Sequence, residues 1–247
     1  MPMSRSQPWV AAPGSRANSP LSSFFASRHM TPVFLLTDGY IANGAEPWRV
    51  PQVDSLPQIV VNHPQGKDNG EPFMPYARDE WLSRPWALPG TPGLMHRIGG
   101  LEKQDITGNV NYEPANHEHM VNLRARKVAM IANDLPPQEV AGPTSGKLLV
   151  ISWGGTYGAC ATAVQKVRDQ GGSVAHAHLR YLNPFPANLG DIIRRYESVL
   201  IPELNRGQLR LVIRSEFLID AIGLNKIQGK PFAVREVIEK IQQLLKS

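Results

Sequence analysis

The chain has 247 residues, of which 42% are hydrophobic and 19% are charged, and its formal net charge is +5. This composition is that of a globular protein with a sizeable core, and the mild basic excess lacks the aromatic-interleaved patch typical of nucleic-acid binding. A single cysteine, Cys160, excludes an internal disulfide and favours a cytoplasmic setting. No apolar run approaches the roughly 20 residues of a membrane span, so no membrane partner is expected.

Residues 1–30 differ in composition from the rest of the chain. They are rich in Ser, Pro, Ala and Arg, and the first acidic residue is Asp38. An organelle transit peptide has this composition, and a disordered tail or a wrongly assigned start or reading frame are the alternatives. We therefore expect residues 1–30 to be a disordered or atypical N-terminal tail.

A first folded region is predicted over residues 31–134. The apolar run Pro32–Leu36 predicts a buried strand that ends at Asp38, where the carboxylate is either a functional group at a sheet edge or a turn residue. Residues 41–113 contain nine prolines and scattered tryptophans. They predict a long irregular arm that packs on another subunit, with a disordered linker as the alternative.

A helix and a linker separate this region from the C-terminal half. Residues 114–133 predict a helix with Val121, Ala125, Val128 and Ala132 as its apolar stripe. The Pro- and Gly-rich stretch Leu135–Gly146 then predicts a domain boundary, so that residues 147–247 form a domain of their own.

The C-terminal domain alternates strands with helices. The predicted strands cover 148–153, 174–179, 198–201 and, less regularly, 231–234, and the helices are marked by these apolar stripes: Cys160, Ala163, Val164 and Val167; Leu189, Ile192, Ile193 and Tyr196; Leu209, Val212, Ile213 and Phe217; Val234, Val237, Ile238, Ile241 and Leu245. This alternation predicts an α/β fold, a three-layer α/β/α arrangement around a mainly parallel sheet.

The glycine turn after the first of these strands is the main candidate site. Gly154 and Gly155 permit a sharp turn, Thr156 is placed to cap the following helix, and backbone N–H groups at a helix start bind phosphate or carboxylate. The pattern is neither G-x-G-x-x-G nor a P-loop, and a tight packing turn is the alternative interpretation. Gly154, Gly155, Thr156, Tyr157 and, further along, Lys226 are candidate phosphate or cofactor contacts.

The other reactive side chains give weaker signals. His176 and His178 share a strand face and could bind a metal together, but no third ligand is recognisable, and packed histidines are the alternative. His117 and His119 do not form the H-E-x-x-H motif. Cys160 lies on a buried stripe and is expected to be inert. Glu203 ends an apolar strand, either to orient a ligand or partner, or as a cap or solvated carboxylate. These residues give no metal site and no catalytic set.

Several long stretches together resemble one family. They are MTPVFLLTDGYIANGAEPWRVP (30–51), RPWALPGTPGLMHRIGGLEKQDITGN (84–109), LLVISWGGTYGA (148–159), LRYLNPFPANLG (179–190), VLIPELNRGQL (199–209) and LNKIQGKPF (224–232). Together these stretches resemble the α subunit of 2-oxoacid:ferredoxin oxidoreductases, most closely that of the 2-oxoglutarate type. The resemblance covers about residues 30–241.

The resemblance implies an activity and partners. The family oxidatively decarboxylates a 2-oxoacid with coenzyme A (CoA), giving an acyl-CoA, CO2 and reduced ferredoxin or flavodoxin. Thiamine diphosphate carries the carbanion chemistry, and a β subunit holds its diphosphate, Mg2+ and commonly an iron–sulfur cluster. Residues 147–245 would match the transketolase C-terminal domain of the family, and Thr31–Tyr40 the end of a pyrimidine-binding domain. Self-association with further copies is also expected.

The segments that carry catalysis in the family do not occur in this sequence. The Tyr-Pro-Ile-Thr-Pro motif and the Gly-Pro-Ser-Thr-Gly segment are absent, so no catalytic residue can be assigned. The sequence therefore predicts a subunit or fragment that completes an α/β assembly, inactive alone and binding no cofactor by itself. The alternatives are a non-catalytic domain that binds a β subunit and an independent nucleotide- or CoA-binding domain.

Overall fold

The computed structural model describes residues 18–45, 52, 54, 59–66 and 70–246. These residues form two compact units. One is built from described residues within Met1–Leu35 and Pro47–Asp134, and the other from those within Leu36–Glu46 and Leu135–Ser247. The predictions for residues 1–17 and for Trp48 lie outside the described residues.

In the first unit, two helices are joined by irregular chain. The helices are α1 (Asn18–His29) and α3 (Pro114–Met130), and α3 continues as a 3-10 turn over Ile131–Asn133. Between them, the described residues 59–66 and 70–113 contain no helix or strand longer than a turn or an isolated bridge, which agrees with the predicted irregular arm. Pro114 occupies the first turn of α3, as its missing N–H favours.

Helix α1 shows that residues 18–29 are helical, whereas the sequence predicted a disordered or atypical tail over residues 1–30. Its sequence has almost no helical periodicity, and the helix is held instead by contacts at its C-terminal end. The indole N–H of Trp86 donates to the Ser27 carbonyl at 2.8 Å, and the guanidinium of Arg28 lies 4.5 Å from the Trp81 ring centroid. These two tryptophans contact residues of their own chain, and the packing of the arm on another subunit stays a prediction.

Two apolar stretches that the sequence predicts to be buried are wholly or partly exposed in the structure. The Pro32–Leu36 run forms no strand, and its side chains are exposed, with Phe34 at 83%. In α3 the buried side chains are Met120 and Leu123, while Val121 is exposed. Tertiary contacts, not the predicted stripe, therefore decide which face of α3 is covered.

The second unit is a parallel sheet between helices, which confirms the predicted fold class. Its elements are α2 (Gly39–Asn43), β1 (Gly146–Trp153), α4 (Tyr157–Asp169), β2 (Val174–Leu179), α5 (Leu189–Ile193), β3 (Tyr196–Glu203), α6 (Gln208–Phe217), β4 (Ile222–Asn225) and α7 (Val234–Lys246). The strand order is β2-β1-β3-β4, and every pairing is parallel. Helices α4 and α7 cover one face of the sheet, and α5 and α6 cover the other.

The second unit departs from the sequence prediction at its shortest elements. Helix α5 ends at Ile193, so Tyr196 opens strand β3 and does not extend the helical stripe. Residues 231–233 are not a strand, and the fourth strand is Ile222–Asn225. On α6, Val212 is exposed while Leu209 and Ile213 are buried. Four-residue and five-residue elements carry too few residues to show a period.

Candidate functional site

The candidate site lies at the carboxyl edge of the sheet in the second unit. There β1 runs into a 3-10 turn, Gly154–Thr156, and then into α4. Gly154 has a φ of +54°, in the left-handed region that favours glycine. The hydroxyl of Thr156 donates to the Trp153 carbonyl at 2.7 Å and accepts from the Trp153 N–H at 3.2 Å. Thr156 therefore closes the turn, and its side chain does not cap α4 as predicted.

The predicted anion position at this turn is held by a carboxylate of the chain itself. The backbone N–H of Gly155 donates to Oδ2 of Asp38, in a short hydrogen bond. A side chain on Gly155 would collide with this carboxylate, and a Cβ on Gly154 would lie 3.0 Å from Oδ2. The glycines are thus needed for close approach of Asp38, which gives that residue a specific role at the turn.

A cluster of polar side chains lies on the sheet face next to the turn. The Ser152 hydroxyl lies 2.7 Å from Nε2 of His176 and 2.8 Å from Nδ1 of His178. The Tyr157 ring centroid lies 5.9 Å from the His176 ring and 4.8 Å from the His178 ring. Register explains the meeting, because Ser152 pairs with His178 across β1 and β2, and His176 is two residues earlier on the same face.

Both histidines are neutral at neutral pH. Burial lowers the pKa of His176 to about 4, with a smaller contribution from His178, and burial together with Arg180 lowers the pKa of His178 to about 4. A neutral histidine has one N–H and one acceptor nitrogen, so the Ser152 hydroxyl can donate to one ring and accept from the other. The arrangement is a satisfied hydrogen-bond network. Among the described residues there is no group of three His, Cys, Asp or Glu that could hold a metal.

Glu203 is buried and caps a helix. Its two carboxylate oxygens accept from the backbone N–H groups of Leu209 and Arg210, at 2.9 and 3.0 Å. Both donors belong to the first turn of α6, where a negative charge is also favoured by the helix dipole. Of the alternatives left open by the sequence, the structure supports the cap.

Lys226 has protein partners of its own beyond the end of β4. Its ammonium donates to the Glu236 carboxylate at 2.8 and 3.0 Å and to the Pro231 carbonyl at 3.0 Å. Since β1 and β4 are separated by β3, the glycine turn and Lys226 belong to strands about 10 Å apart in the same sheet. The structure does not bring Lys226 into contact with the residues of the glycine turn.

Cys160 lies in the core below the turn. The residue is fully buried, and burial raises the pKa of its thiol to about 12 although a hydrogen bond with Thr156 acts in the opposite direction. A thiol that remains protonated and enclosed is a packing group.

The sequence reasoning missed one member of the cluster, Ser152. Ser152 carries the only side-chain hydroxyl of the apolar strand that precedes the glycines, which is the signal that could have identified it. The strand register places it on the same face of the sheet as His176 and His178. The edge of the sheet thus brings together the glycine turn, Asp38 and the serine–histidine network.

Comparison with known proteins shows what the chain is similar to. No protein-family model matches the chain. The chain is homologous to α subunits of 2-oxoacid:ferredoxin oxidoreductases: subunit α of 2-oxoacid:ferredoxin oxidoreductase 2 from Aeropyrum pernix is 28% identical over 90% of this chain. The predicted resemblance to this class is confirmed.

The chain is also similar to proteins of the 2-oxoglutarate type. The 2-oxoglutarate oxidoreductase subunit KorA of Mycobacterium tuberculosis is 50% identical over 92% of this chain. The solved 2-oxoglutarate:ferredoxin oxidoreductase from Magnetococcus marinus, with 2-oxoglutarate, coenzyme A and succinyl-CoA bound, matches 76% of this chain with a TM-score of 0.67 and 29% identity. The chain spans about a third of the length of the relatives it matches, 35% of KorA and 33% of the solved chain.

Among the described residues, none of the helices has the length and apolar character needed to cross a bilayer.

Proposed function

We propose that this chain supplies part of the α subunit of a 2-oxoglutarate:ferredoxin oxidoreductase. The complete enzyme would convert a 2-oxoacid and CoA into an acyl-CoA and CO2 and pass the electrons to ferredoxin or flavodoxin. The observation that supports this best is the 50% identity to KorA over 92% of this chain. The structural match with the solved enzyme over 76% of this chain, with a TM-score of 0.67, supports the same proposal.

The residues present do not fit the cofactors of such an enzyme. The chain has one cysteine, whereas an iron–sulfur cluster needs several cysteine thiolates. The described residues hold no cluster of His, Cys, Asp or Glu for Mg2+. The Asp38 carboxylate faces the turn where a phosphate of thiamine diphosphate or CoA would lie, and it would repel such a group.

The proposed role is therefore completion of an assembly with a β subunit. In this proposal the β subunit holds the thiamine diphosphate, Mg2+ and iron–sulfur cluster, and this chain contributes surface and scaffold. Gly154, Gly155, Thr156, Tyr157 and Lys226 stay candidates for cofactor contact only if Asp38 and Glu236 give up their present hydrogen bonds. The cytoplasmic location and self-association are part of the same proposal.

Co-expression with the β subunit from the same organism tests the proposal. We expect the two chains to co-purify, and we expect this chain alone to show no CoA-dependent oxidation of 2-oxoglutarate with ferredoxin as acceptor. Activity of the isolated chain, or failure to bind any β subunit, would contradict the assignment. Tight CoA binding by the isolated chain without a β subunit would instead favour an independent CoA-binding domain.

A further inference from the structure

The first unit contains a cavity that the proposed function does not use. Its volume is about 610 Å3, within the range of small-molecule sites. The apolar part of its lining includes Met30, Leu101, Met120, Leu123 and Val128. The polar part is dominated by cations, which are Arg78, Arg84, Lys103, Arg124 and Lys127, against the single lining carboxylate Glu102.

Some of these cations are neutralised by the protein itself. Arg124 forms an ion pair with Glu102 at 3.1 Å, and Arg78 forms one with Asp105. Glu102 is also held by Nδ1 of His117 at 2.7 Å, so its charge is shared between two partners. The carboxylates at the cavity are thus already engaged.

Arg84, Lys103 and Lys127 form no ion pair with a carboxylate among the described residues. The ammonium of Lys103 is buried and donates to the carbonyls of Gly99 and Leu101, at 3.1 and 2.6 Å, which fixes the loop that carries it. Arg84 and Lys127 make fewer hydrogen bonds with the described residues than Lys103 does. The Arg84 guanidinium lies 4.5 Å from the Tyr76 ring centroid, and the Lys127 ammonium donates to the Met30 carbonyl at 3.0 Å.

The positive charges at Lys127 are crowded. The pKa of Lys127 is lowered to about 8, mainly by burial and in addition by the charges of Arg84 and Arg78, while Asp79 acts in the opposite direction without forming an ion pair. Partly buried like charges repel each other, and an anion placed between them relieves that repulsion. Arginine and lysine are also the side chains that bind phosphate oxygens best.

We propose that this cavity binds a phosphate monoester whose body offers a flat, largely apolar face. The phosphate would lie between Arg84 and Lys127, and the body would pack on Met120 and Leu123. A monoester carries a charge of about −1.5 to −2 at pH 7, which matches the combined charge of Arg84 and Lys127, because the third cation without an ion pair, Lys103, is held by two backbone carbonyls. The site lies within the first unit and does not depend on the oxidoreductase assignment.

Isothermal titration of the full chain with AMP is the test, since AMP joins a dianionic phosphate to a planar body. Lys127→Met removes the ammonium and keeps a stem of similar length. Arg126→Met is the matched control, because Arg126 is exposed on the same helix and does not line the cavity. We expect the Kd for AMP to rise at least tenfold in Lys127→Met and to stay within twofold of the parent value in Arg126→Met.

Further ligands distinguish the two halves of the proposal. Adenosine, which lacks the phosphate, should bind at least tenfold more weakly than AMP, and inorganic phosphate should also bind more weakly. If phosphate binds as tightly as AMP, the apolar half of the proposal is wrong. AMP binding that is absent, that equals adenosine binding, or that is equal in Lys127→Met and the parent chain would overturn the proposal. Should Lys127→Met fail to fold, Arg84→Gln provides the same test from the other side of the phosphate.

Discussion

Acid should destabilise the second unit through its two buried histidines. The pKa of His176 is lowered to about 4 by burial, while the unfolded chain has the ordinary histidine value of about 6.5. Between these two values the unfolded state binds more protons than the folded state, so the free energy of unfolding falls as the pH falls. The contribution of His176 is complete above pH 6.5 and is lost as the pH approaches 4.

The size of the effect follows from the shift. A full separation from 6.5 to about 4 corresponds to about 3 kcal/mol for His176. By pH 5 about 2 kcal/mol of this is already lost, because most unfolded molecules are protonated there and few folded ones are. His178 acts in the same direction with a smaller contribution, since its side chain is more exposed.

Urea unfolding followed by circular dichroism at pH 7.5 and pH 5 measures this effect. His176→Gln is the informative variant, because the glutamine amide can reach the Nε2 position and keep the hydrogen bond to Ser152 without titrating. The advantage of the parent chain over the variant should shrink by about 2 kcal/mol between the two pH values. An unchanged difference between parent and His176→Gln would refute the reasoning.

Three further substitutions or treatments test the geometry of the second unit. Gly155→Ala should lower the free energy of unfolding by about 0.5–1.5 kcal/mol, since its Cβ would displace the Asp38 carboxylate from its hydrogen bond, whereas Gly158→Ala meets nothing within 4 Å and should not destabilise. Glu203→Ala leaves two helix N–H groups without an acceptor and should cost about 1–3 kcal/mol in urea unfolding, against less than about 0.5 kcal/mol for the exposed Glu197→Ala. Cys160 should resist maleimide at pH 8 in the native chain and react fully in urea; rapid native labelling would contradict its burial and its pKa of about 12.

The regular part of the fold is readable from the sequence because its elements are long enough to show a period. Helix α4 buries Cys160, Ala163, Val164 and Val167, which are the residues that the helical spacing indicates. Strand β1 is a continuous apolar run because both of its faces are covered. Local pattern and tertiary burial agree at these positions.

The prediction is wrong where tertiary contacts decide. The Pro32–Leu36 run has strand composition but pairs with no strand of the described chain, and so its side chains stay exposed. Helix α1 is the opposite case, because it forms although its sequence is only weakly amphipathic. Its C-terminal carbonyls accept hydrogen bonds from the side chains of Ser83 and Trp86. Contacts between residues more than 50 positions apart leave no periodic trace in a single sequence.

Part of the candidate site could be predicted from the sequence, and part of it depends on contacts between distant residues. The glycines, Tyr157 and the two histidines were identifiable by residue type and spacing, and they do meet at the carboxyl edge of the sheet. The position of Asp38 at the N–H of Gly155 joins residues 117 positions apart and could not be deduced from either stretch. Likewise, the capping role of Glu203 becomes clear only when α6 is seen to begin at its carboxylate.

These two carboxylates change where an anionic ligand is expected. At the glycine turn the donor N–H already faces Asp38, and a second anion about 4 Å away would be repelled by about 4 kcal/mol at an effective dielectric constant of 20. At the cavity of the first unit the situation is reversed, since Arg84 and Lys127 repel each other and have no carboxylate partner among the described residues. Glycine turns before helices suggest phosphate binding by their backbone alone, but the charges already present decide whether an anion can bind. On that ground AMP should bind through Lys127, and Gly155→Ala should leave its affinity unchanged.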